Sequence, residues 1–189
     1  MGSHQMILTV LAMLLLSITI LTVNRQTLTT NDTMMSSRYG LMALSLANTI
    51  IQDASGLAFD ESTAVQGSSV TNLSQLTAST ALGLDGTAEL ASNPNTFDDF
   101  DDYNCYRTTP KTDVIVIDAT TTPNKTMTFY SICKVDYVDG NNPNNIMTTQ
   151  TWHKRLSISV FSNDLKDPWT GLADTLRLST VYSYYYFPH

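Results

Sequence analysis

Proline is missing from the first 93 residues, and the 189-residue chain holds only ten Lys and Arg, three His and two Cys. The shortage of basic residues, with a formal net charge of −7, excludes a phosphate-binding surface, which needs clustered cations; nucleic acid and anionic lipid surfaces are poor partners. The cysteines, Cys105 and Cys133, form no CxxC pair and no Cys/His cluster, so neither a zinc site nor a redox centre is indicated. An oxidising compartment would pair them across 28 positions, and the alternative is two buried free thiols. His4, His153 and His189 are isolated, and no GxSxG, HExxH or phosphate-binding glycine loop occurs. Nothing supports catalysis. Lys and Glu are scarce while Thr, Ser and Asn abound, a balance that favours β-structure with a polar, uncharged surface.

What the chain does have is an uncharged run of 18 residues, Met6 to Val23 (MILTVLAMLLLSITILTV). As a helix it measures about 27 Å, close to the hydrocarbon thickness of a bilayer. A secretory signal would carry basic residues ahead of the run and a small-x-small cleavage site behind it; Met1 to Gln5 holds no Lys or Arg, and the run ends in Val23-Asn24-Arg25. The segment is therefore expected to be retained. Between Leu41 and Ala54 the pattern becomes amphipathic, with Ala43, Leu46, Ala47, Ile50 and Ala54 on one face and Leu44 and Ile51 beside it. Gly56 is a natural stop. One helix over residues 1–55 would be roughly 80 Å long, more than a small domain can cover. The Thr-rich Ser17 to Thr33 stretch is rich in β-branched residues, which predicts a loosening or bend there.

The short polar lead, the unbroken apolar run and the amphipathic continuation resemble the type IV pilin superfamily, including minor pilins and pseudopilins. Ala58-Phe59-Asp60-Glu61 after the helix, and FDDFDDYNCY from Phe97 to Tyr106, carry the likeness further, so that it spans about the first 106 residues. The resemblance implies an α+β fold, in which one long N-terminal helix packs on a small antiparallel sheet. It also implies a prepilin whose leader has been removed ahead of Met1. The assembly residues it implies are Met1, Gln5, Met6, Leu11, Leu15, Ile18 and Leu21. The sequence departs from the family at position five, where Glu is usual and is thought to neutralise a neighbouring subunit's N-terminal amine. Gln5 accepts a hydrogen bond but brings no charge.

Residues 56–189 read as a β-rich head. Glu61 to Asn95 is Ser-, Thr- and Gly-rich and largely irregular, and four strand-like runs follow at Asp113–Ile117, Thr126–Val138, Thr151–Phe161 and Thr175–Phe187. They predict a four-stranded antiparallel meander beneath the helix, with Leu156, Ile158 and Val160 on the packed face. A Cys105–Cys133 bridge would pin the acidic loop to this sheet, worth about 3–4 kcal/mol by chain entropy.

Asp98, Asp99, Asp101 and Asp102, with Asn104, form an oxygen-rich cluster suited to calcium, although the glycine and distant Glu of an EF-hand are missing; the alternative is a solvated turn. His153, beside Lys154 and Arg155, reads as an edge or interface group. Tyr182, Tyr184 and Tyr186 fall on one side of the last strand and Tyr185 and Phe187 on the other, a sheet face or a binding surface. Asn31, Asn72 and Asn124 stand in N-x-Ser/Thr contexts. The function expected is therefore that of a structural subunit of an extracellular filament on a prokaryotic cell, self-associating and held in the inner membrane before assembly. Adhesion, motility, DNA uptake and secretion are all left open as its use. The alternative is a bitopic membrane protein with an extracellular β binding domain.

Overall fold

The computed structural model describes residues 2–64, 69–86, 88–91, 93–108, 111–115, 125–166 and 173–185. Helix α1 runs unbroken over Ser3–Ser55. The Thr-rich stretch, where the sequence predicts a loosening or bend, is unbroken helix. The hydroxyls of Thr19, Thr22, Thr27, Thr29, Thr30 and Thr33 each donate to the carbonyl four residues back, at 2.8 to 3.0 Å, so each hydroxyl finds its partner on the helix's own backbone. The helix stops at Gly56, whose N–H reaches the carbonyls of Gln52 and Asp53 at 3.2 Å.

Beyond it the chain folds back. Ala58 donates to the Asp98 carbonyl at 3.2 Å, and Phe100 donates to the Ala58 carbonyl at 2.9 Å, which lays the start of the head beside the acidic turn. A one-turn helix, Glu61–Ala64, and three-residue 3-10 turns at Leu73–Gln75, Pro94–Thr96 and Asp101–Tyr103 are the regular pieces before the sheet. Asn72 caps one of these turns through its side chain.

Strands β1 (Lys111–Ile115), β2 (Lys125–Tyr137), β3 (His153–Lys166) and β4 (Ala173–Ser183) follow in the antiparallel order β1-β2-β3-β4. The expected four-stranded sheet needs correction where it meets the helix. There it is three strands wide, because β3 pairs with Tyr130 to Tyr137 of β2, whereas β1 pairs only with Lys125 to Phe129. Thus β1 extends one end of β2 as a hairpin and does not widen the face that α1 covers.

Alternation assigns the faces. Phe129, Cys133, Val135 and Tyr137 of β2 and Leu156, Ile158 and Val160 of β3 are buried, while their odd-turned neighbours are partly or wholly wet. Against them α1 presents Tyr39, Ala43, Ala47, Ile50 and Ala54, four of the five on the face expected from the sequence. The three alanines, at 0% exposure, let the helix backbone approach the sheet closely. Leu176, Leu178 and Tyr182 of β4 close the side of this core.

Candidate functional site: the uncovered helix and the acidic centre

Two features stand out from this frame, one apolar and one charged. Among the described residues the head buries α1 from Tyr39 onward, with Ser36 half-buried one turn earlier. Ahead of that point Gln5 is exposed, and the large side chains from Met6 to Val23, including Leu11, Leu15, Ile18 and Leu21, are 55% to 70% exposed. Met1 lies outside the described residues. By length and composition α1 is apolar enough to cross a membrane.

The charged feature centres on Lys154. Its position on β3 has the parity of Leu156, Ile158 and Val160, so its side chain enters the core and is fully buried. The edge or interface reading concerned His153; its neighbour Lys154 turns to the opposite, buried side. An ammonium has three donors. Lys154 Nζ directs them to the Phe59 carbonyl at 2.8 Å, to Asp60 Oδ2 at 2.8 Å, and to Asp101 Oδ1. The Phe59 ring lies 4.7 Å away and the Tyr137 ring 5.4 Å, adding cation–π attraction. Tyr137 also donates to the Thr77 carbonyl at 2.8 Å. Asp60 accepts from the Thr77 amide and the Ser62 hydroxyl. Burial pushes the Asp60 carboxyl up, but the Lys154 charge and these hydrogen bonds outweigh it, and it sits below its ordinary value. For Asp101 burial wins despite Lys154, and it is pushed up.

The acidic turn does not act as the single four-carboxylate cluster expected from its sequence. Asp101 turns inward to Lys154, whereas Asp98, Asp99 and Asp102 face carboxylates from elsewhere in the chain: Glu61, Asp85 and Glu89. Glu61, Asp85 and Asp99 bring ligand atoms within 4.8 Å of one another, as do Glu61, Glu89 and Asp98, and Asp85, Glu89 and Asp102. Burial first, then the like charges of Asp98 and Asp85, push Glu61 up to about 7. Burial pushes Asp102 up to about 6 against the amides that bind it. Asp85 and Asp99 are also raised, by burial and then by neighbouring carboxylates. Asn104 holds the turn in place, donating to the Leu82 carbonyl at 2.8 Å and accepting from the Val135 amide at 3.1 Å.

Sequence reading missed Glu61, Asp85, Glu89 and Lys154 as members of this centre. For Lys154 the strand parity was the available signal. For the three acids no spacing rule links them, since loops bring them together.

Cys105 and Cys133 are both free, so the expected bridge is not formed. Their backbones meet, with the Cys105 amide donating to the Cys133 carbonyl at 3.1 Å, but their surroundings differ: Cys133 is buried in the core, and Cys105, at φ 64°, is exposed. The tyrosines at the end of β4 are largely structural. Tyr182 packs on Phe59 and Phe100 with ring centroids 5.8 and 5.1 Å away, and the Tyr184 hydroxyl accepts from the Val70 amide at 3.0 Å. Tyr185 is 74% exposed, and Tyr186 and Phe187 lie outside the described residues. His153 Nδ1 is 2.7 Å from Ser183 Oγ across the β3–β4 pair.

Compared with protein-family models, with curated proteins and with solved structures, the chain matches none.

Proposed function

We propose that this chain is a structural subunit of an extracellular filament of the type IV pilus kind, polymerised through the apolar half of α1 and held in the inner membrane before assembly. The observation that carries this reading is the division of one continuous helix into a half covered by its own head and a half that none of the described residues covers. Covering Met6 to Val23 would remove on the order of a thousand Å² of apolar surface from water, roughly 25 kcal/mol before the costs of association. Lipid supplies that cover in a membrane. Outside it, equivalent helices of neighbouring subunits do, and a contact between unlike faces that repeats without closing makes a filament. The continuity of α1 supports the same reading, because its apolar segment from Met6 to Val23 is unbroken helix that can lie alongside copies of itself.

The test is electron microscopy of material sheared from the surface of cells expressing the chain, with immunolabelling of the head. Labelled helical filaments are expected. Label confined to membrane fragments as single heads would replace this reading with that of a bitopic protein bearing an extracellular binding domain.

A further inference from the structure

Six carboxylates converge where the turn after α1, the loop at Asp85 to Glu89 and the acidic turn meet. Among the described residues none of them forms an ion pair with a Lys or Arg, since Lys154 is committed to Asp60 and Asp101. Convergent acids alone would be a solvated patch, but two of these are built differently. Asp99 and Asp102 are each 1% exposed, and each has one oxygen fully engaged and one unpartnered. Asp99 Oδ1 accepts from the amides of Asp101 at 2.7 Å and Asp102 at 3.1 Å, which leaves Oδ2 buried with no donor. Asp102 Oδ2 accepts from the amides of Asp98 at 3.0 Å and Asp99 at 3.3 Å, which leaves Oδ1 in the same condition. Glu89 is fixed likewise, its Oε2 accepting from the amides of Asp85 at 2.9 Å and Gly86 at 2.8 Å. A buried carboxylate oxygen without a partner is costly and calls for a proton, a water or a cation.

We infer that Glu61, Asp85, Glu89, Asp98, Asp99 and Asp102 form a binding site for a hard divalent cation of the calcium class. The three overlapping triads share members, Glu61 and Asp85 with Asp99, then Glu61 and Glu89 with Asp98, then Asp85 and Glu89 with Asp102. Such an arrangement suits an ion that takes six to eight oxygen ligands with tolerant geometry. Magnesium is a poorer fit, because it keeps most of its water and uses one or two carboxylates. Asp99 and Asp102 supply the rigid inner wall, tied to the backbone of the acidic turn. Glu61, Asp85 and Asp98 are exposed and form the open side through which the ion enters. The site joins the end of α1 to two loops of the head, so occupancy ties together segments that otherwise share few regular hydrogen bonds. It is independent of the helix surface through which the filament is proposed to form.

The experiment is calorimetric titration of calcium chloride into the full chain in detergent micelles after treatment with chelator, alongside thermal unfolding of the head. Binding of one ion per chain is expected, with an affinity in the sub-millimolar to millimolar range of extracellular calcium modules and about tenfold weaker binding of magnesium. A rise in the unfolding midpoint should accompany it. Asp85→Asn and Glu89→Gln, both outside the core, should each weaken calcium binding about tenfold or more while the head stays folded in chelator. No binding at about 10 mM calcium to a chain with a normal unfolding transition would overturn the site. So would undiminished binding in both variants, and magnesium binding as tightly as calcium would overturn its assignment to the calcium class.

Discussion

Lys154 Nζ lies 2.8 Å from Asp60 Oδ2 with both side chains fully buried, and the same ammonium pairs with Asp101 from the acidic turn. One cation therefore fastens the turn after α1 and the acidic turn to the middle of the sheet. Removing one partner of a buried pair leaves the others uncompensated, which costs about 3–5 kcal/mol. Lys154→Met should destabilise the head by about that much, and adding Asp60→Asn and Asp101→Asn should recover part of the loss. Denaturant unfolding of the parent, the single and the triple variant in micelles checks this. A Lys154→Met chain as stable as the parent would mean that the pair contributes nothing.

The carboxylates around this centre shift in opposite directions, so the head should have an acidic stability optimum when divalent cations are chelated. Asp60 is held below its unfolded value of 3.8, so its contribution is full above that pH and is lost as pH falls through its lower folded value. Glu61 goes the other way, from 4.5 unfolded to about 7 folded. Between those values the folded state binds more protons than the unfolded one, so stability falls as pH rises through that window. Asp102, raised from 3.8 to about 6, adds to the same trend. Thermal midpoints measured in chelator should peak near about pH 4 to 5 and decline toward pH 8. A midpoint that climbs steadily from about pH 5 to pH 8 contradicts the assignment.

The thiols should respond unequally. Burial pushes Cys133 up to about 12, so in the folded head it is both inaccessible and protonated, whereas Cys105 is exposed. One thiol per chain should react with a maleimide in the native state and two after unfolding without reductant. Zero reactive thiols in both states would show a bridge between them.

The long helix and the strand-rich head were legible because each rests on a local rule: an 18-residue run without charge, then alternation in β3 that put Leu156, Ile158 and Val160 inward. Carried two residues further, that alternation places Lys154 in the core as well, a step the sequence reading did not take. The continuity of the helix through Ser17 to Thr33 was not legible from propensity, which counts only the lost rotamers of threonine. The acidic centre was half legible. Its core of Asp98, Asp99 and Asp102 is contiguous, but Asp101 leaves it for a lysine 53 positions away, and Glu61, Asp85 and Glu89 enter it through loop packing that no periodicity encodes.

The two halves of α1 should separate folding from assembly, because one faces the sheet and the other is left exposed by the described residues. Ala47 is completely buried between helix and sheet, so Ala47→Phe overpacks the core and should cost the head about 1–3 kcal/mol or more. Leu15 is 60% exposed and lies outside the core of the head, so Leu15→Asp should leave head unfolding unchanged. In a filament or a bilayer the same carboxylate would be buried without a partner, and assembly should be lost. Unfolding midpoints in micelles and the yield of pelletable filaments, measured on the same three proteins, give two independent readouts. Leu15→Asp filaments at normal yield would remove the apolar half of α1 from the assembly core, while an Ala47→Phe head of unchanged stability would remove the other half from its packing against the sheet.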